Sequence, residues 1–243
     1  MLEQILPCEV AVVEAFRDDP AATLFPGERA VIARAIARRR TEFATGRSCA
    51  RAALARLGEP PAPILRGPRG APQWPAGVTG SITHCAGYRA AAVARIGDVL
   101  ALGLDAEPNE KLPDGVPETI ALAEERDELA RLAAAEPGIC WDRLLFSAKE
   151  SVYKAWFPMT RQWLDFKSAH VTVDPLNGTF RARLLVPGLL VNGVPLSVMR
   201  GRWLAARGLL ATATVIAAWP ADVMCRGALC GVRYAGCIMR RAL

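Results

Sequence analysis

The sequence predicts an α+β fold. Three observations carry that prediction: helical and strand signals alternate through both halves of the chain, the strand signals come as neighbours that read as antiparallel, and no short repeat is visible. At 243 residues the chain can form one large domain or two modest ones sharing a sizeable core. With 52% hydrophobic and 22% charged residues, it has the profile of a globular protein rather than a disordered one.

Pro26 suits a helix start and Gly58 a helix stop. Between them Arg34, Arg38, Arg39, Arg40, Arg47, Arg51 and Arg56 interleave with Val31, Ile32, Ile36, Phe43, Leu54 and Leu57, which predicts one or two amphipathic helices with a strongly basic face. Residues 59–77 form a Pro/Gly-rich loop that carries Arg66 and Arg69 and ends in Trp74-Pro75. Strand patterns follow at 80–83, 90–96 and 99–106. Pro108, Pro113 and Pro117 interrupt a loop that leads to a helix over 118–135, and a second helix is expected from Ser147 to about Trp156. The remainder reads as strands at 170–173, 179–186, 196–205 and 209–217, the last after an Arg207-Gly208 turn. From about residue 221 the periodicity is lost, and 221–243 reads as an appended tail.

The formal net charge of +6 and a pI near 9.2 call for an anionic partner: nucleic acid, anionic lipid, a polyphosphate cofactor or an acidic protein. Seven cysteines, at 8, 49, 85, 140, 225, 230 and 237, form no C-x-x-C pair. Their odd number and scatter argue against a disulfide framework or a zinc site and point to the reducing cytoplasm. Residues 1–7 lack the basic and apolar regions of a signal peptide, and the apolar run 209–219 is too short to span a bilayer. A soluble protein with no membrane partner is expected.

Four groups of residues could carry chemistry. Asp105 and Glu107 end a probable strand, and side chains at i and i+2 share a face. Two carboxylates side by side need a cation or strong donors, and hard oxygen ligands suit Mg²⁺. Phe146 to Trp156 holds Lys149, Glu150 and Lys154. Its plain structural reading is good: Ser147 and Glu150 match a capping box, and Glu150 with Lys154 matches a favourable i, i+4 pair. The functional reading puts Glu150 on a metal and Lys154 on phosphate. His84 stands among small and hydroxyl residues after Thr83, where it could donate to a phosphate oxygen, whereas His170 opens a strand and reads as structural. Arg39, Arg47, Arg66 and Arg69 have planar forks suited to phosphate.

These groups occur together and in order, and the chain resembles the Sfp/EntD-type 4′-phosphopantetheinyl transferases, in particular their actinobacterial group. The family's acidic motif (V/I/L)G-(I/L)-D-x-E stands as Leu102 to Glu107, and its F-(S/C)-A-K-E-x-x-Y-K-A-W motif as Phe146 to Trp156. S-x-T-H-C-x-G-Y stands as Ser81 to Tyr88, R-R-x-E-F-x-x-x-R as Arg39 to Arg47, and W-P-x-G-x-x-G as Trp74 to Gly80. Arg69-Gly70-Ala71-Pro72 departs from the family's usual R-E-P or G-E-P run, and the tail matches nothing in it.

The resemblance implies two similar α+β halves, 1–100 and 101–220, related by pseudo-twofold symmetry, with coenzyme A in the cleft between them. It implies that Asp105, Glu107 and Glu150 hold Mg²⁺, with Mn²⁺ possible. Lys149 and Lys154 would face the phosphates. Arg39, Arg47, Arg66 and Arg69 would surround the adenine and 3′-phosphate end, Thr83 and His84 would touch phosphate, and Trp163 would line the pantetheine arm. The implied reaction is attack by a serine of an apo acyl or peptidyl carrier protein on the β-phosphate of coenzyme A, releasing 3′,5′-ADP. Glu150 is the implied base, acting directly, through water or through Glu107, and the implied state is a monomer. A nucleic-acid binder is disfavoured because the arginine-rich stretch lacks interleaved aromatics. A Mg²⁺ phosphohydrolase would use the same carboxylates.

Overall fold

The structure, a computed structural model, describes residues 1–187, 189–191 and 193–218. The expected tail at 221–243 lies outside the described residues. Three strands, β1 (Ala11–Ala15), β2 (Val78–Cys85) and β3 (Tyr88–Arg95), form an antiparallel sheet in the order β1-β3-β2. A second antiparallel sheet has the order β4-β10-β9-β6-β5, built from β4 (Val99–Pro108), β5 (Ala169–Asp174), β6 (Thr179–Leu184), β9 (Val198–Ala206) and β10 (Leu209–Ala217). A minimal hairpin joins β7 (Leu190–Val191) to β8 (Val194–Pro195). The helices are α1 (Pro26–Val31), α2 (Ala37–Arg56), α3 (Val116–Ile120), α4 (Ala123–Ala135) and α5 (Trp141–Thr160). Helices and antiparallel sheets are mixed in both parts of the chain, as the α+β reading expected.

Local chemistry explains most of these boundaries. Gly58, with φ of 79°, follows the end of α2, and Arg207 and Gly208 both take positive φ, as a two-residue hairpin turn between β9 and β10 requires. β3 alternates Ala90, Ala92 and Ala94 into one core cluster with Ala91 and Val93 into another, so both of its faces are buried. α2 covers one face of that sheet, and β4 with β10 covers the other. A further core cluster packs α5 on the inward residues Phe180, Ala182, Met199 and Trp203 of β6 and β9.

The structure corrects two expectations and adds three short strands. The helix expected over 118–135 is two helices, because Ala121 is extended (ψ 142°) and Leu122 restarts the chain as the N-cap of α4. The helix expected to begin at Ser147 begins at Trp141, so Ser147 is interior and its hydroxyl bonds Thr212 Oγ1 at 2.9 Å instead of capping. β1, β7 and β8 gave no recognisable pattern: each is five residues or shorter, and only Val12 among them is fully buried.

Two contacts set the geometry of the cavity and its acidic wall. The edge strands β2 and β4 are joined by side chains, since Ser81 Oγ accepts from Leu104 N and Thr83 Oγ1 accepts from Ala106 N, each at 3.0 Å. Helix α5 lies directly on β4 at Gly103, where a Cβ would stand 1.9 Å from the Ser151 carbonyl oxygen and 2.7 Å from Ala155 N. Both obstacles are backbone, so they cannot rotate away. Gly103→Ala is expected to destabilise the protein by about 3 kcal/mol, the upper end of ordinary overpacking, and to lower Tm by roughly 6–12 °C in a thermal melt. An unchanged melting temperature would contradict this seating of α5.

Candidate active site

Helical spacing turns Glu150 and Lys154 of α5 to one flank, and both line a cavity of about 1030 Å³. Its other walls are α2 with Arg39, Glu42, Phe43 and Arg47, β2 with Ser81 and His84, and the 66–74 loop with Arg66, Arg69 and Trp74. Lys154 Nζ donates to Asp105 Oδ1 at 2.6 Å, which ties the cavity wall to the acidic end of β4. Burial opposes the ammonium, but the charges of Asp105, Glu150 and Glu107 more than offset it and raise its pKa.

The three acids are coupled through Asp105. Burial raises the pKa of Glu150, and the Asp105 charge adds to this while Lys154 opposes it. Burial also raises Glu107, again with Asp105 adding, although Arg143 Nη1 donates to Glu107 Oε2 at 3.1 Å. The convergence expected of these acids is incomplete: among the described residues no three acids, histidines or cysteines form a group able to hold a metal ion. As placed, Lys154 and Arg143 do the neutralising. The donor set nevertheless fits a hard cation, because Asp105 Oδ2 is buried without a hydrogen-bond partner among the described residues and the Asp105 charge raises the pKa of both Glu107 and Glu150.

The arginines have distinct fates. Arg47 is buried rather than part of an exposed basic face; its Nε donates to the Ile64 carbonyl at 2.8 Å and its guanidinium lies 4.3 Å from the Phe43 ring. Burial, opposed by Glu28 and reinforced by Arg66, Arg51 and Arg39, brings its pKa down to about 10. A crowd of guanidiniums around a cavity is an anion site by Coulomb's law. Arg66 and Arg69 are exposed on the loop, and Arg69, itself at φ 52°, lies 4.9 Å from the Trp163 ring. Trp163 packs edge-on against Tyr153 at 5.0 Å and lines a smaller cavity of about 40 Å³ with Glu150 and Tyr153, outside the lining of the large one. Arg39 contacts His84 Nε2 and pairs with Glu42 at 3.5 Å. Burial and the Arg39 charge hold His84 below its usual pKa, so it is neutral at physiological pH.

Two expected ligands are used elsewhere. Thr83 is buried outside the cavity lining, its hydroxyl taken by Ala106 N and by Asp105 Oδ1 at 3.4 Å. Lys149 is outside the lining of the large cavity and borders only the small one: it is buried, and its ammonium donates to Glu125 Oε2 and the Phe166 carbonyl at 2.7 Å and to the Ile120 and Ala169 carbonyls at 3.0 Å. Helical geometry explains this, because Lys149 and Glu150 are about 100° apart around the axis. Arg143, Glu42 and Tyr153 do not stand out in the sequence as site residues. Glu42 had a signal in its i, i+3 and i, i+4 spacing to Arg39 and Arg38, whereas Arg143 had none, since its partner lies 36 residues away.

Residues 27–94 match the family described as the 4′-phosphopantetheinyl transferase N-terminal domain, and residues 101–188 match the 4′-phosphopantetheinyl transferase superfamily. The chain is 57% identical over 221 residues to the 4′-phosphopantetheinyl transferase Svp of Streptomyces mobaraensis, covering 90% of each chain. It is 47% identical over 224 residues to PptT of Mycobacterium tuberculosis, covering 89% of this chain and 98% of that one. Enterobactin synthase component D of Salmonella typhi is 34% identical over 152 residues, 62% of this chain and 61% of its own.

Two outcomes test the site's electrostatics. Lys149→Ala leaves Glu125 buried without its cation and is expected to cost about 3–5 kcal/mol in denaturant unfolding; a loss of coenzyme A affinity with stability unchanged would return Lys149 to the binding site. A carboxyl whose folded pKa is raised favours folding at low pH and loses that contribution as pH rises. With a chelator present, Glu150→Gln is therefore expected to melt above the wild type near neutral pH. The gain should vanish as pH falls through about 4.3, the value for an unfolded glutamate; a gain that persists in acid would place its cause elsewhere.

Proposed function

The chain belongs to the 4′-phosphopantetheinyl transferase superfamily, and on that premise we propose that the cavity among α2, β2, the 66–74 loop and α5 holds coenzyme A, in a cleft between two similar halves divided near residue 100. The enzyme transfers the 4′-phosphopantetheine arm of coenzyme A to a serine of apo carrier proteins and releases 3′,5′-ADP. A repeated side-chain network supports the two-halves reading. Glu28, the third residue of α1, accepts from Phe25 N at 2.9 Å, from Arg51 of the next helix at 3.0 Å and from Ile64 N at 2.9 Å. Glu125, the third residue of α4, accepts from Leu122 N at 2.7 Å, from Lys149 of the next helix at 2.7 Å and from Val171 N at 2.6 Å.

Asp105, Glu107 and Glu150 would hold Mg²⁺, with Mn²⁺ an alternative, and the bound ion supplies Lewis-acid neutralisation at the pyrophosphate. The chain's own groups do the rest. The serine oxygen bonds to the β-phosphorus, the bond from that phosphorus to the oxygen of 3′,5′-ADP breaks, and the serine proton goes to the Glu150 carboxylate, directly, through water or through Glu107. Burial lifts Glu150 toward the range in which a general base works best. Lys154 offsets charge on the departing 5′-phosphate of 3′,5′-ADP, and Arg39, Arg47 and Arg66 hold the adenine and 3′-phosphate end. The observation that carries this reading is Lys154, which lines the cavity while bound to Asp105. The free thiols of Cys49, Cys85 and Cys140 support a reducing cytoplasmic setting. Among the described residues, no helix is long and apolar enough to cross a membrane.

Glu150→Gln and Asp105→Asn are each expected to slow transfer by about 10²–10³ while the protein stays folded. Intact-mass measurement of an apo-carrier incubated with enzyme, coenzyme A and Mg²⁺ reads the outcome. Near-normal modification by both variants would refute the assignment.

A further inference from the structure

The outer face of the five-stranded sheet carries a feature that the cavity chemistry leaves unused. β6 and β9 alternate strictly: Phe180, Ala182 and Leu184 with Met199 and Trp203 point into the core beneath α5, while Arg181, Arg183, Arg200 and Arg202 are exposed on the opposite face. The register sets Arg181 directly across from Arg200, and it places Arg202 and Arg183 one side-chain step to either side. The four guanidiniums thus form a ribbon roughly 14 Å long at strand spacing.

Like charges directly opposite in a sheet destabilise it, yet no acid relieves them: among the described residues none of the four has an ion pair. On the neighbouring strand β5, His170 and Thr172 face Arg183 and Arg181 in register. The acid at the end of that strand, Asp174, is bonded to Asn177 N at 3.1 Å and Nδ2 at 2.7 Å. The composition of residues 219–243, one acid against four arginines, adds positive rather than negative charge.

The geometry points to this ribbon as a docking face for an acidic polypeptide segment of the protein that bears the acceptor serine, separate from the cavity where transfer takes place. The inference rests on the transferase reading, which requires a protein substrate. The alternatives fit less well. No aromatic ring of β6 or β9 lies on the exposed face to stack a base, because Phe180 and Trp203 point inward. The exposed apolar side chains lie outside the four arginines along the chain, Leu176 before β6 and Leu185, Leu189, Leu190 and Val194 between β6 and β9, so the ribbon itself is a polar centre and not an apolar belt that enters a bilayer. A linear row of arginine forks fits carboxylates spaced along a chain. Such a contact adds effective concentration without altering the chemistry.

The test uses the full chain and the double reversal Arg181→Glu/Arg200→Glu, with Arg17→Glu/Arg34→Glu as a control of equal charge change at exposed arginines elsewhere. A fluorescent peptide of about fifteen glutamates is titrated at low salt, beside a single-stranded oligonucleotide of equal charge and phosphatidylserine-containing vesicles. The ribbon reversal is expected to weaken peptide binding at least about tenfold and the control less than about twofold. With an apo-carrier extended by a run of glutamates, wild type is expected to show a lower KM than for the unextended carrier. The reversal should abolish that difference and leave kcat and the KM for coenzyme A unchanged. Equal losses in both variants, a larger ribbon-dependent loss for oligonucleotide or vesicles, or a change in kcat would overturn the proposal. Absence of transfer to any carrier by wild type would instead refute the transferase reading, and peptide binding would still be decided by the titration.

Discussion

The seating of α5 on β4 is the constraint from which the site derives. Gly103 leaves no side chain, so the backbone of α5 at Ser151 and Ala155 comes against the strand. Ser147 and Ser151 then reach Thr212 and Thr214 of β10 through hydroxyl pairs at 2.9 and 3.1 Å. Those contacts fix both the height and the rotation of the helix. Once they are fixed, Lys154 must meet Asp105 two residues beyond Gly103, and Glu150 must face the cavity one turn earlier. The residues that face the cavity therefore depend on residues whose contribution is closeness.

Two lysines five positions apart on that helix show how position decides chemistry. Lys149 spends its ammonium on four acceptors in a buried pocket and acts as a bolt between α5, α4 and the chain entering β5. Lys154 makes one hydrogen bond to one acid among the described residues and keeps donor capacity toward the cavity. A motif that contains both cannot reveal this division, because it depends on which side of the helix meets α4. The same applies to Ser147, whose spacing to Glu150 imitates a cap although the helix begins six residues earlier.

What the sequence made legible was local. Pro26 and Gly58 bracket α1 and α2, the Arg207-Gly208 turn appears at its hairpin, and the strands that alternate cleanly appear close to their observed bounds. The motifs singled out Asp105, Glu107 and Glu150, residues that spacing alone left weak; the structure sets Glu150 on the cavity wall and links Asp105 to that wall through Lys154. What stayed hidden required long-range partners. Arg143 finds Glu107 across 36 residues, Thr83 is consumed by β4, and Arg47 is drawn into the core by the Ile64 carbonyl. Short elements such as β1 escaped because its five residues bury only Val12 fully, and no period can be read from one side chain.

The networks around Glu28 and Glu125 repeat one arrangement. In each, a buried glutamate caps its own helix, anchors a cation from the next helix and receives an amide from the following segment. The cations lie 23 and 24 residues downstream of their glutamates, so the two connections have nearly the same length. Both bolts sit where a long helix must be held at a set angle to its sheet: α2, which brings Arg39 and Arg47 to the cavity, and α5, which brings Glu150 and Lys154. Breaking a buried pair leaves an uncompensated charge, so each network resists rotation of its helix. One bolted helix brings arginines to the cavity and the other brings Glu150 and Lys154, so the two walls differ in charge because of what each helix carries on its free flank.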